Sequence, residues 1–310
     1  MTWHLFGNIL TNYGTAANNR GENEGNITTL QKILWQGEVH TTVSAEAIRW
    51  ALRYYWQTCG DYQVQVNRQW DDDKNDNIWK NPAFDDQLYI DDDVLGYMRA
   101  DAAKTEASDS QETETGDKKK KKAAPKGTTT AKRGVLEVTR AVSTIPYAGD
   151  ITFNATSGQK GRTSLYGTEV HATRYQYGFA LTPDRLKDKS RIHAVLDGLI
   201  SIGGVAGNHS RFLYDFAPDS IVLRWTNDFS PRFLYCFTED EGEISAPDLL
   251  RRIEAEDIDP RELWIAGAIL DTEVGESLEA KGVNAFKGVK AAVENIQQKI
   301  KRDLGVEVCP

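Results

Sequence analysis

Groups able to do covalent or metal chemistry are scattered through this sequence rather than gathered. Its five histidines, His4, His40, His171, His193 and His209, include no pair at the spacing of a helical zinc site. No serine stands in the Gly-x-Ser-x-Gly setting of a hydrolase elbow. Neither Gly-x-x-x-x-Gly-Lys-Ser/Thr nor a Gly-x-Gly-x-x-Gly turn after a strand is present to cradle a nucleotide. The cysteines Cys59, Cys236 and Cys309 are odd in number and lack Cys-x-x-Cys spacing, which argues for reduced thiols and against a disulfide framework or a cysteine zinc site. The carboxylate runs Asp71-Asp72-Asp73 and Asp91-Asp92-Asp93 lack the central glycine and distal glutamate of a calcium loop and read as solvated turns. The expectation is a chain with no catalytic residue, no bound metal and no cofactor.

Three other groupings suit the holding of an anion. Asn18-Asn19-Arg20-Gly21 combines two amides, a guanidinium and a flexible glycine, a set that fits phosphate and ribose oxygens. A solvated loop explains it equally well, and Glu22 and Glu24 just beyond would repel phosphate unless turned away. Arg49 and Arg53 fall one turn apart on a helix and share a face, offered either to a phosphate backbone or to solvent. The run from Gly203 through Gly204, Val205, Ala206, Gly207, Asn208, His209 and Ser210 to Arg211 follows a helix. Its glycines let backbone N–H groups approach a phosphate and its polar side chains add donors, so RNA contact is favoured; a helix C-cap alone accounts for Gly203 and Gly204.

The elements that must position these groups read as a mixed α+β chain. Residues 2–10 form an apolar strand, and 11–43 a long polar stretch rich in Asn, Gly and Thr, read as a functional loop. Ser44 caps a helix with apolar Ala47, Ile48, Ala51, Leu52 and Tyr55 at helical spacing, running to about Thr58 before Gly60. Residues 60–100 read as a small inserted subdomain, and 101–134 as a disordered linker passing from acidic to lysine-rich. Strand composition returns in VLEVTRAVSTI from Val135 and in TEVHATRYQYGFALT, which flank a Gly-rich projection from Pro146 to Gly167. A helix at about 190–202, strands in 211–225 and 232–238, helices over 245–256 and 283–304, and a strand in LWIAGAIL complete the chain. The order β, α, β, β, α, β is the split βαβ plan.

With 310 residues, 40% hydrophobic and 10% aromatic, the chain can bury a full core. No basic-plus-apolar leader and no apolar run of membrane-spanning length occurs, so a cytoplasmic protein is expected. The net charge of −9 is unevenly spread: residues 1–59 sum to 0, 60–117 to −11, 118–134 to +8, 135–238 to +2 and 239–310 to −8. Phosphate binding answers to local potential, so 1–59 and 135–238 remain admissible as an RNA surface.

The stretches FGNILTNYGTAANNRGENEGNITTLQKI, VHTTVSAEAIRWALR, AVSTIPYAGDITFNA, YQYGFAL and IGGVAGNHSRFLYDF, in that order, resemble the Cascade backbone subunit of type I CRISPR systems, the Cas-seven family, in its DevR branch typical of type I-B. The resemblance covers most of residues 1–240. It implies an RRM-like (ferredoxin-like) palm from 1–59 and 135–240, a fingers insertion at 60–134, a thumb β-hairpin at 147–167 and a C-terminal helical extension at 241–310. It implies a non-enzymatic subunit that polymerises head to tail with its own copies along a crRNA and displaces guide bases at regular intervals. Target DNA then pairs with the guide between thumbs, so that base pairing reads the sequence.

On matching positions the resemblance puts Asn18, Asn19, Arg20, Ser44, Arg49 and the loop from Gly203 to Arg211 on guide phosphates and riboses. Thr152, Phe153 and Asn154 fall in the thumb, where Phe153 either wedges against a base or packs in the core. The expected partners are crRNA, target DNA, other copies and the other Cascade subunits: the 5′ handle-capping subunit, large subunit, small subunits and repeat-processing endonuclease. An RNA-cleaving type III-like backbone, with Glu22 or Glu24 as its acid, and a stand-alone regulator are the alternatives.

Overall fold

The structure, a computed structural model, describes residues 1–17, 23–59, 65–100, 129–155, 165–205 and 212–306. The first strand, His4–Thr11, is buried along its whole length because it lies inside a nine-stranded sheet. It pairs antiparallel with Tyr175–Leu181 on one side and Pro218–Thr226 on the other. From edge to edge the sheet runs Asn284–Phe286, Leu263–Gly267, Pro218–Thr226, His4–Thr11, Tyr175–Leu181, Ala141–Ser143, Glu38–Val43 and Lys32–Trp35; Glu137–Val138 also pairs with Tyr175–Leu181. A central strand covered on both faces must be apolar on both, and the period-two alternation achieves this. Leu5 and Ile9 enter one core and Phe6 and Leu10 the other, as Leu223 and Val222 do on the neighbouring strand. Gly7 stands where a Cβ would come 2.2 Å from the Phe179 ring, so only glycine lets that ring lie across the strand.

Six helices stand among the described residues: α1 (Ala45–Thr58), α2 (Ile90–Val94), α3 (Arg191–Leu199), α4 (Pro247–Glu254), α5 (Glu273–Ala280) and α6 (Val289–Leu304). None is long and apolar enough to cross a membrane. The helices α1, α3 and α6 cover one face of the sheet, whereas α4, α5 and the chain around Phe233 and Phe237 cover the other. The predicted cap of α1 is present: the Ser44 hydroxyl accepts from the Ala47 N–H at 3.2 Å. Ile48, Ala51, Leu52 and Trp56 form its buried stripe, and the Trp56 indole donates to the Ala194 carbonyl at 3.0 Å, which joins α1 to α3.

Residues 11–43 are not a long loop. They hold five more strand segments, ending in a hairpin, Lys32–Trp35 with Glu38–Val43, on the edge of the main sheet. Gln36 and Gly37, both at positive φ, make its two-residue turn. The high Asn, Gly and Thr content concealed strands that bury only part of one face. Other expectations also shift. The run 232–237 carries no strand although Phe233, Cys236 and Phe237 are core residues, and 212–217 is irregular before Pro218–Thr226 begins. Thr129–Arg133, read as linker, pairs with Gly96–Ala100. Leu263–Gly267 and Asn284–Phe286 extend the main sheet, so the C-terminal region adds strands as well as helices.

The largest correction concerns Asp91, Asp92 and Asp93. They form most of α2 and are buried, not solvated. Each carboxylate ties down a different segment. Asp91 accepts from the N–H groups of Asn67 and Arg68 at 2.7 and 3.0 Å and pairs with Arg53 at 3.2 Å. Asp92 accepts from Asn67 Nδ2 and from the Asp85 N–H. Asp93 meets Arg191 at 2.6 Å, Lys132 at 2.7 Å and the N–H groups of Lys187 and Asp188. Burial opposes ionisation of Asp93, but the bonds from Lys132, Lys187 and Arg191 outweigh it and hold the carboxyl below its ordinary range. Removing one partner of such a cluster leaves an uncompensated buried charge. Asp93→Ala is therefore expected to cost about 3–5 kcal/mol in denaturant unfolding, whereas Asp73→Ala, at an exposed position of the other aspartate run, changes stability by less than about 0.5 kcal/mol.

Candidate nucleic-acid interface

Two central strands do not stop at the edge of the main sheet. His4–Thr11 continues past a bend into Gly14–Ala17, and Tyr175–Leu181 continues from Leu165–Thr173, with Val170 to Thr173 pairing Ala17 to Gly14. Leu165–Thr173 also pairs with Ile151–Ala155 as a projecting hairpin and runs parallel to Ile27–Thr28. The polar segment after the first strand and the projection expected from the glycine-rich run thus form one five-stranded sheet.

Buried hydroxyls hold the bend. The Tyr214 OH lies 2.6 Å from Thr11 Oγ1 and donates toward the carbonyls of Asn12 and Thr173, at 3.0 and 3.1 Å. Thr11 Oγ1 accepts from the Tyr175 N–H at 2.9 Å. Burial raises the Tyr214 pKa, which keeps this hydroxyl neutral. The root of the hairpin has its own network: Thr41 Oγ1 lies 2.7 Å from His171 Nδ1 and 2.8 Å from the Tyr175 OH, and His40 Nδ1 lies 2.7 Å from the Ser143 carbonyl. Glu169 accepts from the Leu30 N–H and pairs with Lys32 at 2.5 Å, clasping the hairpin to the preceding segment.

A cavity of about 720 Å³ opens beside this bend. Its walls come from the post-strand segment (Ala16, Ala17, Leu30, Gln31), from the start and one face of α1 (Ser44, Ala47, Trp50, Tyr54, Tyr55), and from Ser201 to Val205 with Phe212 and Tyr214. Parts of the regions singled out in the sequence therefore meet at one place. Ser44 and the exposed Gly203 and Gly204 line the cavity, and Ala16 and Ala17 lead directly to Asn18. Asn18, Asn19, Arg20 and Glu22 lie outside the described residues, as do Ala206, Gly207, Asn208, His209, Ser210 and Arg211. Among the described residues neither the Gly203 nor the Gly204 N–H donates a hydrogen bond, and Asp215 Oδ1 lies 3.7 Å from where a Cβ of Gly203 would stand.

The two helix arginines do not present a joint positive face. Arg53 is held by Asp91, and Arg49 donates to the Leu95 carbonyl, with burial lowering both pKa values. Both guanidiniums hold α1 to the region around α2. A cation that sequence reasoning missed is Arg140. Its exposed guanidinium forms no ion pair among the described residues and donates to Gln31 Oε1 and Thr42 Oγ1, two groups on the cavity wall. Trp50, Tyr54 and Trp70 were missed too; an aromatic pair at i, i+4 on α1 was the available signal.

On the hairpin, Thr152 and Asn154 are half-buried while Phe153 is 71% exposed, which decides against a core role for it. Ile151 and Leu165 are exposed with it. A Cβ at Gly167 would meet Ile27, Ile151 and Phe153 within 3.0 to 3.6 Å, so this glycine lets the apolar cluster lie over the strand. Glu24 is exposed on a two-residue strand paired with Ile27–Thr28. No group of three His, Cys, Asp or Glu side chains able to hold a metal occurs among the described residues.

No family profile matches the chain. A curated relative, "CRISPR-associated protein Cas7/Cst2/DevR" from Myxococcus xanthus (strain DK1622), is 44% identical over 310 aligned residues, covering 94% of this chain and 96% of its own. Two solved structures share the fold. A chain of a "CRISPR RNA-guided surveillance complex" superposes with a TM-score of 0.55 at 14% identity, over 95% of this chain and 99% of its own. A chain of a "CRISPR RNA-guided surveillance complex, pre-nicking" gives 0.56 at 12% identity, over 96% and 100%.

Burial pushes the His171 imidazole from its ordinary 6.5 down to about 4, so the folded state favours its neutral form. Its stabilising contribution is complete above pH 6.5 and is lost as pH falls toward 4, because in that window the unfolded chain binds the extra proton. Unfolding measured from pH 7 to pH 4 should show this slope, reduced in His171→Gln. The exposure of Phe153 gives an opposite expectation: Phe153→Ala leaves stability within about 0.5 kcal/mol of the parent, and Arg53→Ala lowers it by about 1–3 kcal/mol.

Proposed function

The chain belongs to the Cas7/Cst2/DevR family of CRISPR-associated proteins, and from that premise we propose that it is the crRNA-binding backbone subunit of a type I Cascade surveillance complex, in the I-B branch. The observation that carries this reading is the convergence of Ser44, Gly203, Gly204 and the segment leading to Asn18 on one cavity beside the hairpin. The backbone N–H groups of Gly203 and Gly204, Arg140 with no ion pair among the described residues, and aromatic walls suit a ribose-phosphate chain with unstacked bases. The chain holds the guide's backbone and leaves the reading of sequence to pairing with target DNA.

The strand order supports an RRM-like palm. Of the four palm strands, Pro218–Thr226 lies beside His4–Thr11, then Tyr175–Leu181, then Ala141–Ser143, with α1 and α3 as the two connecting helices on one face. Residues 1–59 and 135–240 make this palm, 60–134 the fingers, 147–167 the thumb and 241–310 an extension packed on the palm. Copies stack head to tail along the guide in the cytoplasm, beside the 5′ handle-capping, large and small subunits and the repeat-processing endonuclease. The subunit binds and presents RNA without cleaving it.

Expression of the full chain with its partner subunits and a CRISPR array tests the reading. A large particle carrying repeat-spacer RNA protected at a regular spacing supports it, and an RNA-free monomer returns the stand-alone regulator. Within such particles, Arg20→Ala combined with Arg211→Ala weakens guide binding and lowers the slope of log affinity against log salt by about 0.7 for each single-strand phosphate that is no longer neutralised. An unchanged slope removes both arginines from the site.

A further inference from the structure

We propose that the outer face of Tyr54 is a stacking platform for an unpaired base of the bound RNA, with Trp50 and Trp70 as its rigid backing. This deepens the RNA-binding reading and rests on it. Trp50 and Tyr54, one turn apart on α1, stack with ring centroids 5.2 Å apart and planes 7° from parallel. Trp70 meets Trp50 edge-on at 6.0 Å and 80°. The position of Trp70 is set by two reciprocal bonds: Gln57 Nε2 donates to its carbonyl and its N–H donates to Gln57 Oε1, both at 2.8 Å. All three rings line the same cavity as Gly203 and Gly204.

Core packing does not explain Tyr54. The buried stripe of α1 is Ile48, Ala51, Leu52 and Trp56; Trp50 packs at the margin of that core, but Tyr54 belongs to neither core and is 37% exposed. Among the described residues no second ring and no cation covers its other face. A flat apolar face continuing a preformed stack, in a cavity that also carries the glycine backbone at Gly203 and Gly204, matches a nucleotide better than an aliphatic ligand. The volume of about 720 Å³ is that of an ordinary small-ligand site, since such sites span about 300–1,000 Å³.

The test compares the full chain with Tyr54→Ala, Tyr54→Phe and Trp50→Phe. Each is titrated with a single-stranded oligouridine and with an abasic RNA of the same length. Stacking predicts that Tyr54→Ala weakens oligouridine binding about tenfold, that Tyr54→Phe and Trp50→Phe restore or keep it, and that abasic RNA binds all four proteins alike. If Tyr54→Ala binds oligouridine as the parent does, or loses abasic RNA to the same degree, the platform is wrong while the RNA-binding reading stands. If the parent binds neither RNA, both fall. Thermal unfolding of Tyr54→Ala close to that of the parent confirms that a weakened affinity is not a failure of folding.

Discussion

The hydroxyl of Tyr214 is the contact on which the candidate site depends. Where the two central strands leave the main sheet, their ladder is interrupted between Thr11 and Gly14 and at Arg174. An interruption there would orphan buried carbonyls, at a cost of about 1–3 kcal/mol each. The Tyr214 proton is shared between the Asn12 and Thr173 carbonyls, and the Thr11 hydroxyl beside it caps the Tyr175 N–H. The same side chain fixes the bend and forms a wall of the cavity, and, two residues on, the Phe216 N–H donates to the Gly203 carbonyl at 2.9 Å, which ties this segment to Gly203. The hairpin, the segment before Asn18 and the glycine loop are therefore held as one unit rather than as three independent surface features.

The other end of α1 is held by charge. Asp91, Asp92 and Asp93 draw together Arg53 of α1, the strand beginning at Arg68, Lys132 and the start of α3 at Arg191. Replacing such a cluster with apolar residues can be neutral, whereas removing one member is costly, so its value lies in specifying one arrangement. That arrangement places Trp70 against Trp50, because the strand carrying Trp70 starts at the residue whose N–H Asp91 accepts. It also changes the meaning of the acidic balance of residues 60–117. Part of that charge is internal and neutralised, so the region projects less negative potential than its count of −11 suggests.

What was legible in the sequence follows from periodicity and local signals. The α1 helix was readable from Ser44 and its apolar spacing, the strand His4–Thr11 from its apolar composition and Tyr175–Leu181 from alternation, because neighbours along the chain fix each pattern. The strands within 11–43 were not, since Asn, Gly and Thr reproduce the composition of a loop and their pairing partners at 167–173 lie far along the chain. The aspartate run was misread for the same reason: three consecutive carboxylates look solvated until Arg191, 98 residues away from Asp93, is brought to them. At the cavity, Ser44 was legible by type only as a helix cap, and Gly203 and Gly204 as a helix end or an anion loop. The outward charge expected of Arg49 and Arg53 was wrong because helix periodicity tells which residues share a face, not what lies against it.

Among the described residues the walls of the cavity are poor in free cations. Of the arginines near it, Arg49, Arg53 and Arg174 are engaged by Leu95, Asp91 and Asp219, which leaves Arg140 as the described guanidinium next to the walls without an acidic partner. Asp215 also lies beside Gly203, where it opposes close approach of an anion. Among the described residues, neutral donors and aromatic faces make up most of what the walls offer to a ligand. The rigid frame around Tyr214 is what sets the relative position of those donors and rings, since its bonds fix the bend from which the cavity walls depart.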